Sequence, residues 1–65
     1  MLTLSENKVY VGVIAGQSNK AIAQDLNIKV NTVKFHLTSI YKKYNVTNRA
    51  QLIVKALTPT IEAIP

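Results

Sequence analysis

The chain is 65 residues long, contains no cysteine, and sets eight lysines and arginines against three acids, for a net charge of +5. So short a chain builds one small core that no disulfide or thiolate metal site reinforces, and its basic excess points to a polyanionic partner. The longest apolar run, Val9 to Gly16, falls well short of the roughly 20 residues of a membrane span and lacks the basic lead-in of a secretory signal, so no membrane association and a cytoplasmic location are expected.

Apolar residues recur at three- and four-residue steps through most of the chain, which predicts an all-α domain. The pattern divides into four helices, at about 4-15, 18-26, 30-44 and 48-57, packed as a four-helix bundle in one domain over 1-58, with 59-65 as a short tail. Thr3-Leu4-Ser5-Glu6 has the spacing of a capping box, in which the threonine oxygen bonds a first-turn amide and Glu6 reaches back to the cap amide; Gly16 closes this first helix. Ser18 is the expected N-cap of the second, which buries Ile22, Ala23 and Leu26 and ends near Asn27, a residue that tolerates the left-handed conformation.

In the third helix, steps of about 100° place Val33, Leu37, Ile40 and Tyr44 along one stripe, the expected core face. Asn48-Arg49-Ala50-Gln51 offers a second box-like start for a helix carrying Leu52, Ile53, Ala56 and Leu57, and Pro59 ends it. The second and third helices have the layout of a helix-turn-helix from Asn19 to about Ile40. Ala23 is small where the helices cross, Asn27 occupies the turn, and Val33 plugs the space between them.

Opposite the core stripe, Asn31, Lys34, Phe35, Thr38 and Lys42 project outward. A helix facing only water has little use for a phenylalanine beside a lysine and near a threonine, whereas a base-reading face can use all three. Lysine donates to guanine O6 and N7, threonine bonds either base type, and an apolar side chain contacts the thymine methyl. Asn31, Lys34, Phe35 and Thr38 are therefore the expected base readers. Lys20, Thr32, Lys42 and Lys43 are the expected phosphate contacts. The charge distribution agrees, since Lys29, Lys34, Lys42, Lys43 and Arg49 fall in a stretch without an acid from Leu26 to Ile61.

Leu2-Thr3 with Glu6 and Val9, then Gly16, Ser18-Asn19-Lys20, Ile22-Ala23, Leu26, Ile28, Thr32-Val33-Lys34, His36, Lys43, Val46 and Asn48-Arg49 resemble the LuxR/GerE-type helix-turn-helix domain over about residues 2 to 57, without a gap. The resemblance implies a DNA-binding domain of a bacterial transcription regulator, with the third helix in the major groove. It places Lys34, Phe35 and Thr38 where the family contacts bases, and Lys20, Thr32 and Lys43 at or near backbone contacts. It also implies double-stranded DNA as partner, a homodimer on paired half-sites through the fourth helix, RNA polymerase as a further partner of such a regulator, and no cofactor. A typical family member carries a sensor or receiver domain upstream; Met1 directly before the motif fits both a fragment and a stand-alone regulator.

Several residues depart from the family pattern: Leu4-Ser5 stands for the common Pro-Arg, Ala21 for Glu, Lys29 for Ser, Leu37 for a frequent polar residue and Asn45 for Gly. Lys29 cannot cap the third helix as serine does, so the cap shifts to Asn31 or is lost; Asn45 can still take a positive φ. Phe35 belongs to the core instead if the helix is rotated from this wheel. Val54, Leu57 and Ile61 supply a dimer contact or are single exposed hydrophobes of the ordinary kind. His36 lacks partners for a metal site or a catalytic relay, so its expected role is structural or backbone-contacting, and no enzyme is expected. The alternative function is a protein-interaction module that keeps the helix-turn-helix shape without binding DNA.

Overall fold

Thr3 opens the first helix through the reciprocal bonds its spacing predicts. The computed structural model describes residues 1–57, and in it α1 spans Leu4–Ile14. The Glu6 amide donates to Thr3 Oγ1 at 3.1 Å and the Thr3 amide donates to Glu6 Oε1 at 2.9 Å. Gly16, with φ +85°, turns the chain away from α1, a conformation that a Cβ would strain. The second helix, α2, spans Asn19–Leu26 behind Ser18, whose Oγ accepts from the Ala21 amide at 3.1 Å.

Both asparagines expected in left-handed positions are there. Asn27 has φ 57° and ψ 47° after α2, and Asn45 has φ 57° and ψ 46° after α3, which spans Val30–Tyr44. At each turn the next amide reaches back into the helix it leaves: Ile28 donates to the Ala23 carbonyl and Val46 to the Tyr41 carbonyl, both at 2.9 Å. These bonds satisfy carbonyls that the helix ends would otherwise orphan.

The cap of α3 is lost rather than shifted. Lys29 occupies the N-cap position and makes no side-chain hydrogen bond to the first turn. A cation at this end also opposes the helix dipole. Lys29→Ser is therefore expected to raise stability by about 1 kcal/mol, read as a higher midpoint in urea unfolding; an unchanged midpoint would contradict the capping account.

The start of α4, Arg49–Leu57, departs from the expected box by one residue. Asn48 Oδ1 accepts from the Gln51 amide at 2.9 Å, but Gln51 Oε1 returns to Thr47, accepting from its amide at 2.8 Å and its hydroxyl at 3.0 Å. The Gln51 side chain thus fastens the turn before the helix, while its own amide takes the Asn48 side chain as cap.

The core is formed by Val9 and Val13 of α1, Ile22 and Ala23 of α2, Val33, Leu37 and Ile40 of α3, and Leu52 of α4. Tyr44, expected on the core stripe, lies at its rim and stacks obliquely on Tyr10 with ring centroids 5.3 Å apart. Burial, and then the neighbouring Tyr44, push the Tyr10 hydroxyl pKa up. Leu57, carried by α4 with Leu52 and also named as a dimer contact or a single exposed hydrophobe, is 71% exposed. A Cβ at Gly12 would stand 2.7 Å from Ile22 Cγ1, so glycine is what lets α1 and α2 approach here. With α3 packed on both α1 and α2, and α4 on α1 and α3, the long helix is braced on its inner side and open on its outer side. Ile61 and the expected tail lie outside the described residues.

Candidate nucleic-acid interface

Because Val33, Leu37 and Ile40 fill the interior, the opposite side of α3 must face out. Asn31, Lys34, Phe35, Thr38 and Lys42 are all exposed. Phe35 is 77% exposed, which removes the alternative that it belongs to the core. The five side chains lie along a helix about 22 Å long at about 1.5 Å per residue. The Thr38 hydroxyl is not free in both directions: it donates to the Lys34 carbonyl at 3.1 Å.

Lys20 on α2 is exposed and Thr32 in the first turn of α3 is half-buried. Among the described residues, Lys20, Lys34 and Lys42 have no ion-pair partner. Three expected contact residues therefore keep a cation available to an anionic ligand.

Lys43 is placed differently. Its Nζ lies 2.6 Å from Glu6 Oε1 and donates to the Met1 carbonyl at 3.3 Å, while the Ser39 hydroxyl donates to Glu6 Oε2 at 2.5 Å. Glu6, only 5% exposed, thus joins the start of α1 to the far half of α3. Lys43, and then the Ser39 hydroxyl and the Thr3 amide, hold the Glu6 carboxyl at a pKa of about 2. A phosphate contact from Lys43 would compete with this carboxylate. The sequence contained both partners, but helical periodicity gives no distance between side chains 37 residues apart.

A folded-state pKa below the ordinary 4.5 stabilises the fold fully above the unfolded value, and the stabilisation is lost as pH falls toward about 2. Thermal melts of the wild type should lose stability between pH about 4.5 and about 2, whereas Glu6→Gln should melt lower at neutral pH and change less across that window. Equal slopes for the two proteins would contradict the clasp.

Arg49, read in the sequence as part of a motif and of the basic stretch, ties α4 to the turn between α1 and α2. Its Nη2 donates to the Gln17 carbonyl and its Nη1 to Asn19 Oδ1 at 3.3 Å. Lys55 Nζ donates to the Tyr44 carbonyl at 3.0 Å, which satisfies an acceptor at the negative end of α3. These bonds fix α2 and α3 against the bundle, so the outer face of α3 is presented from a braced frame.

On the remaining surface, Val54 is 60% exposed and Leu57 accompanies it on α4, while His36 is half-buried and borders a shallow pocket with Ser5, Lys8, Leu26 and Ile28. Among the described residues, no His, Cys, Asp and Glu cluster could hold a metal ion, and no helix is long and apolar enough to cross a membrane.

The family described as bacterial regulatory proteins, luxR family (GerE), matches residues 1–56. The chain is 39% identical over 62 residues to the monoamine regulon transcriptional regulator of Klebsiella aerogenes, covering 95% of this chain and 27% of that protein. It is 44% identical over 55 residues to the glycerol metabolism activator of Pseudomonas putida, covering 85% and 25%. It is 38% identical over 55 residues to the transcriptional regulatory protein LiaR of Bacillus subtilis (strain 168), covering 85% and 26%. The chain thus spans about a quarter of the length of these relatives. With α2 and α3 as its helix-turn-helix and the match extending across all but its last residues, the chain belongs to the luxR family of bacterial regulatory proteins, as a helix-turn-helix domain of the GerE type.

Proposed function

We propose that this chain binds double-stranded DNA sequence-specifically, inserting α3 into the major groove, and that it serves as the DNA-reading part of a cytoplasmic bacterial transcription regulator. Family membership supports DNA-binding transcription regulation in general. The observation that carries the finer reading is the exposed Phe35 set between Lys34 and Thr38 on a helix whose inner face is packed against α1 and α2. Exposed cations alone would suit any polyanion; a large apolar ring among them suits base edges, where thymine presents a methyl group.

In this reading Asn31, Lys34, Phe35 and Thr38 face the bases. Lys34 donates to guanine acceptors, and Asn31 pairs with adenine if the helix enters deeply enough. Lys20, Thr32 and Lys42 hold the phosphates and fix the register of the helix. Val54 and Leu57 form part of a homodimer contact that sets two copies on paired half-sites.

Selection from a pool of random duplexes should enrich a defined sequence, with affinity falling steeply as salt rises; recovery of no enriched sequence would contradict specific recognition. On the enriched duplex, Lys42→Ala should weaken binding to all sequences alike and reduce the slope of log K against log salt by about one unit per subunit. An unchanged slope would remove Lys42 from the phosphate contacts.

A further inference from the structure

Between α1 and α3 lies a shallow pocket whose apolar wall comes from the helix-turn-helix turn. Ser5 and Lys8, one turn apart on α1, border it with His36 of α3, while Leu26 at the end of α2 and Ile28 in the turn complete the lining. The polar side offers three donors: a hydroxyl, an ammonium group and an imidazole that carries at least one N–H in either protonation state. Among the described residues none of these three side chains has an ion-pair or hydrogen-bond partner, and no carboxylate lines the pocket. Ser5 stands where the luxR family commonly has arginine, so a small hydroxyl borders a space that a long cation would reach across. The volume is about 140 Å³, close to the roughly 150 Å³ that holds a benzene-sized molecule of about six heavy atoms.

We propose that this pocket binds a free short-chain carboxylate, with its charged end toward Ser5, Lys8 and His36 and its alkyl chain against the half-buried Leu26 and Ile28. The division of the lining selects this class of ligand. A carboxylate carries both oxygens at one end. A phosphate has oxygens on every side and would set some of them against the apolar wall without partners. An uncharged apolar ligand would desolvate the Lys8 ammonium without compensation. The site lies beside the outer face of α3 rather than on it, and the assignment stands independently of the DNA-binding reading.

Titrating the ¹⁵N-labelled chain with sodium butyrate, at ionic strength held constant with sodium chloride, tests it. The amides of Ser5, Lys8, Ile28 and His36 should shift and saturate with a Kd of about 1–10 mM, the range open to about six heavy atoms in an exposed pocket. Acetate should bind about tenfold more weakly, because each CH₂ laid on the apolar wall is worth up to about fourfold. Lys8→Gln should raise the butyrate Kd about fivefold; Lys8 is exposed, so the thermal melt of this variant should match the wild type.

Shifts that grow linearly without saturating, equal affinity for acetate and butyrate, or an unchanged Kd in Lys8→Gln would each overturn the pocket as a carboxylate site. Inorganic phosphate binding as tightly as butyrate at the same amides would overturn the choice of carboxylate. N-acetylglutamate amide presents the same charged group and stem on a peptide backbone: tighter binding than butyrate would make the occupant a protein side chain and overturn the free acid.

Discussion

Lys34→Ala should weaken binding to the enriched duplex by about 1–3 kcal/mol, roughly 5- to 140-fold, and should relax preference at one base pair while reducing affinity for random duplexes far less. Lys34 is exposed and has no ion-pair partner among the described residues, so the substitution removes a ligand contact without opening the core. Its backbone carbonyl, which holds the Thr38 hydroxyl, is unaffected by truncating the side chain. The neighbouring reading positions therefore keep their arrangement, and the loss is assignable to the ammonium group. Gel shifts on the enriched duplex, on single-base variants of it and on random duplex measure the three affinities. Equal losses on specific and random DNA would make Lys34 a phosphate contact and move base reading to other side chains.

The second large effect lies under the same helix. Ile40 is fully buried between α3 and the helices that brace it, and Ile40→Ala should cost about 2–5 kcal/mol through lost burial and the cavity left behind. Domains have about 0.05–0.15 kcal/mol of stability per residue, which is about 3–9 kcal/mol for the residues described. One truncation can thus remove most of it, and DNA binding would go with the fold at 37 °C. Urea titration followed by circular dichroism measures the cost. Thr38→Ala, on the outer face of the same helix, should stay within about 0.5 kcal/mol of the wild type. A cost below about 1 kcal/mol for Ile40→Ala would contradict the packing of α3.

Much of the fold was legible because it rests on local chemistry. The box at Thr3 and Glu6, the Ser18 cap, the left-handed asparagines and the stripe Val33, Leu37 and Ile40 each involve residues within a few positions of one another. Where capping chemistry offered the Gln51 oxygen donors at two neighbouring residues, the sequence chose less well: Gln51 Oε1 accepts from Thr47 rather than from Asn48, a difference of one residue that periodicity does not resolve. Leu57 illustrates another limit. An apolar residue that fits the helical stripe is nevertheless exposed at the last position of α4.

The outer face of α3 was legible for a related reason, since fixing the core stripe fixes what lies opposite. The polar network was not. Glu6, Ser39 and Lys43 meet only after α1 and α3 are packed, as do Arg49 and Gln17 across the bundle. Lys43 shows the consequence for function: in sequence it is one more cation of a basic helix, and in the structure its nearest charge is an internal carboxylate. Of the expected contact residues, Lys20, Lys34 and Lys42 are then the cations without an ion-pair partner among the described residues, which concentrates the expected DNA contacts on α3 and the start of α2.

The central claim, that α3 is presented to DNA by its outer face, is tested most directly by titrating the ¹⁵N-labelled chain with the enriched duplex and following each backbone amide. The largest shifts should fall on Asn31, Thr32, Lys34, Phe35, Thr38 and Lys42, with a smaller response at Lys20. Shifts concentrated on α1 or α4, with these α3 amides unmoved at saturation, would contradict it.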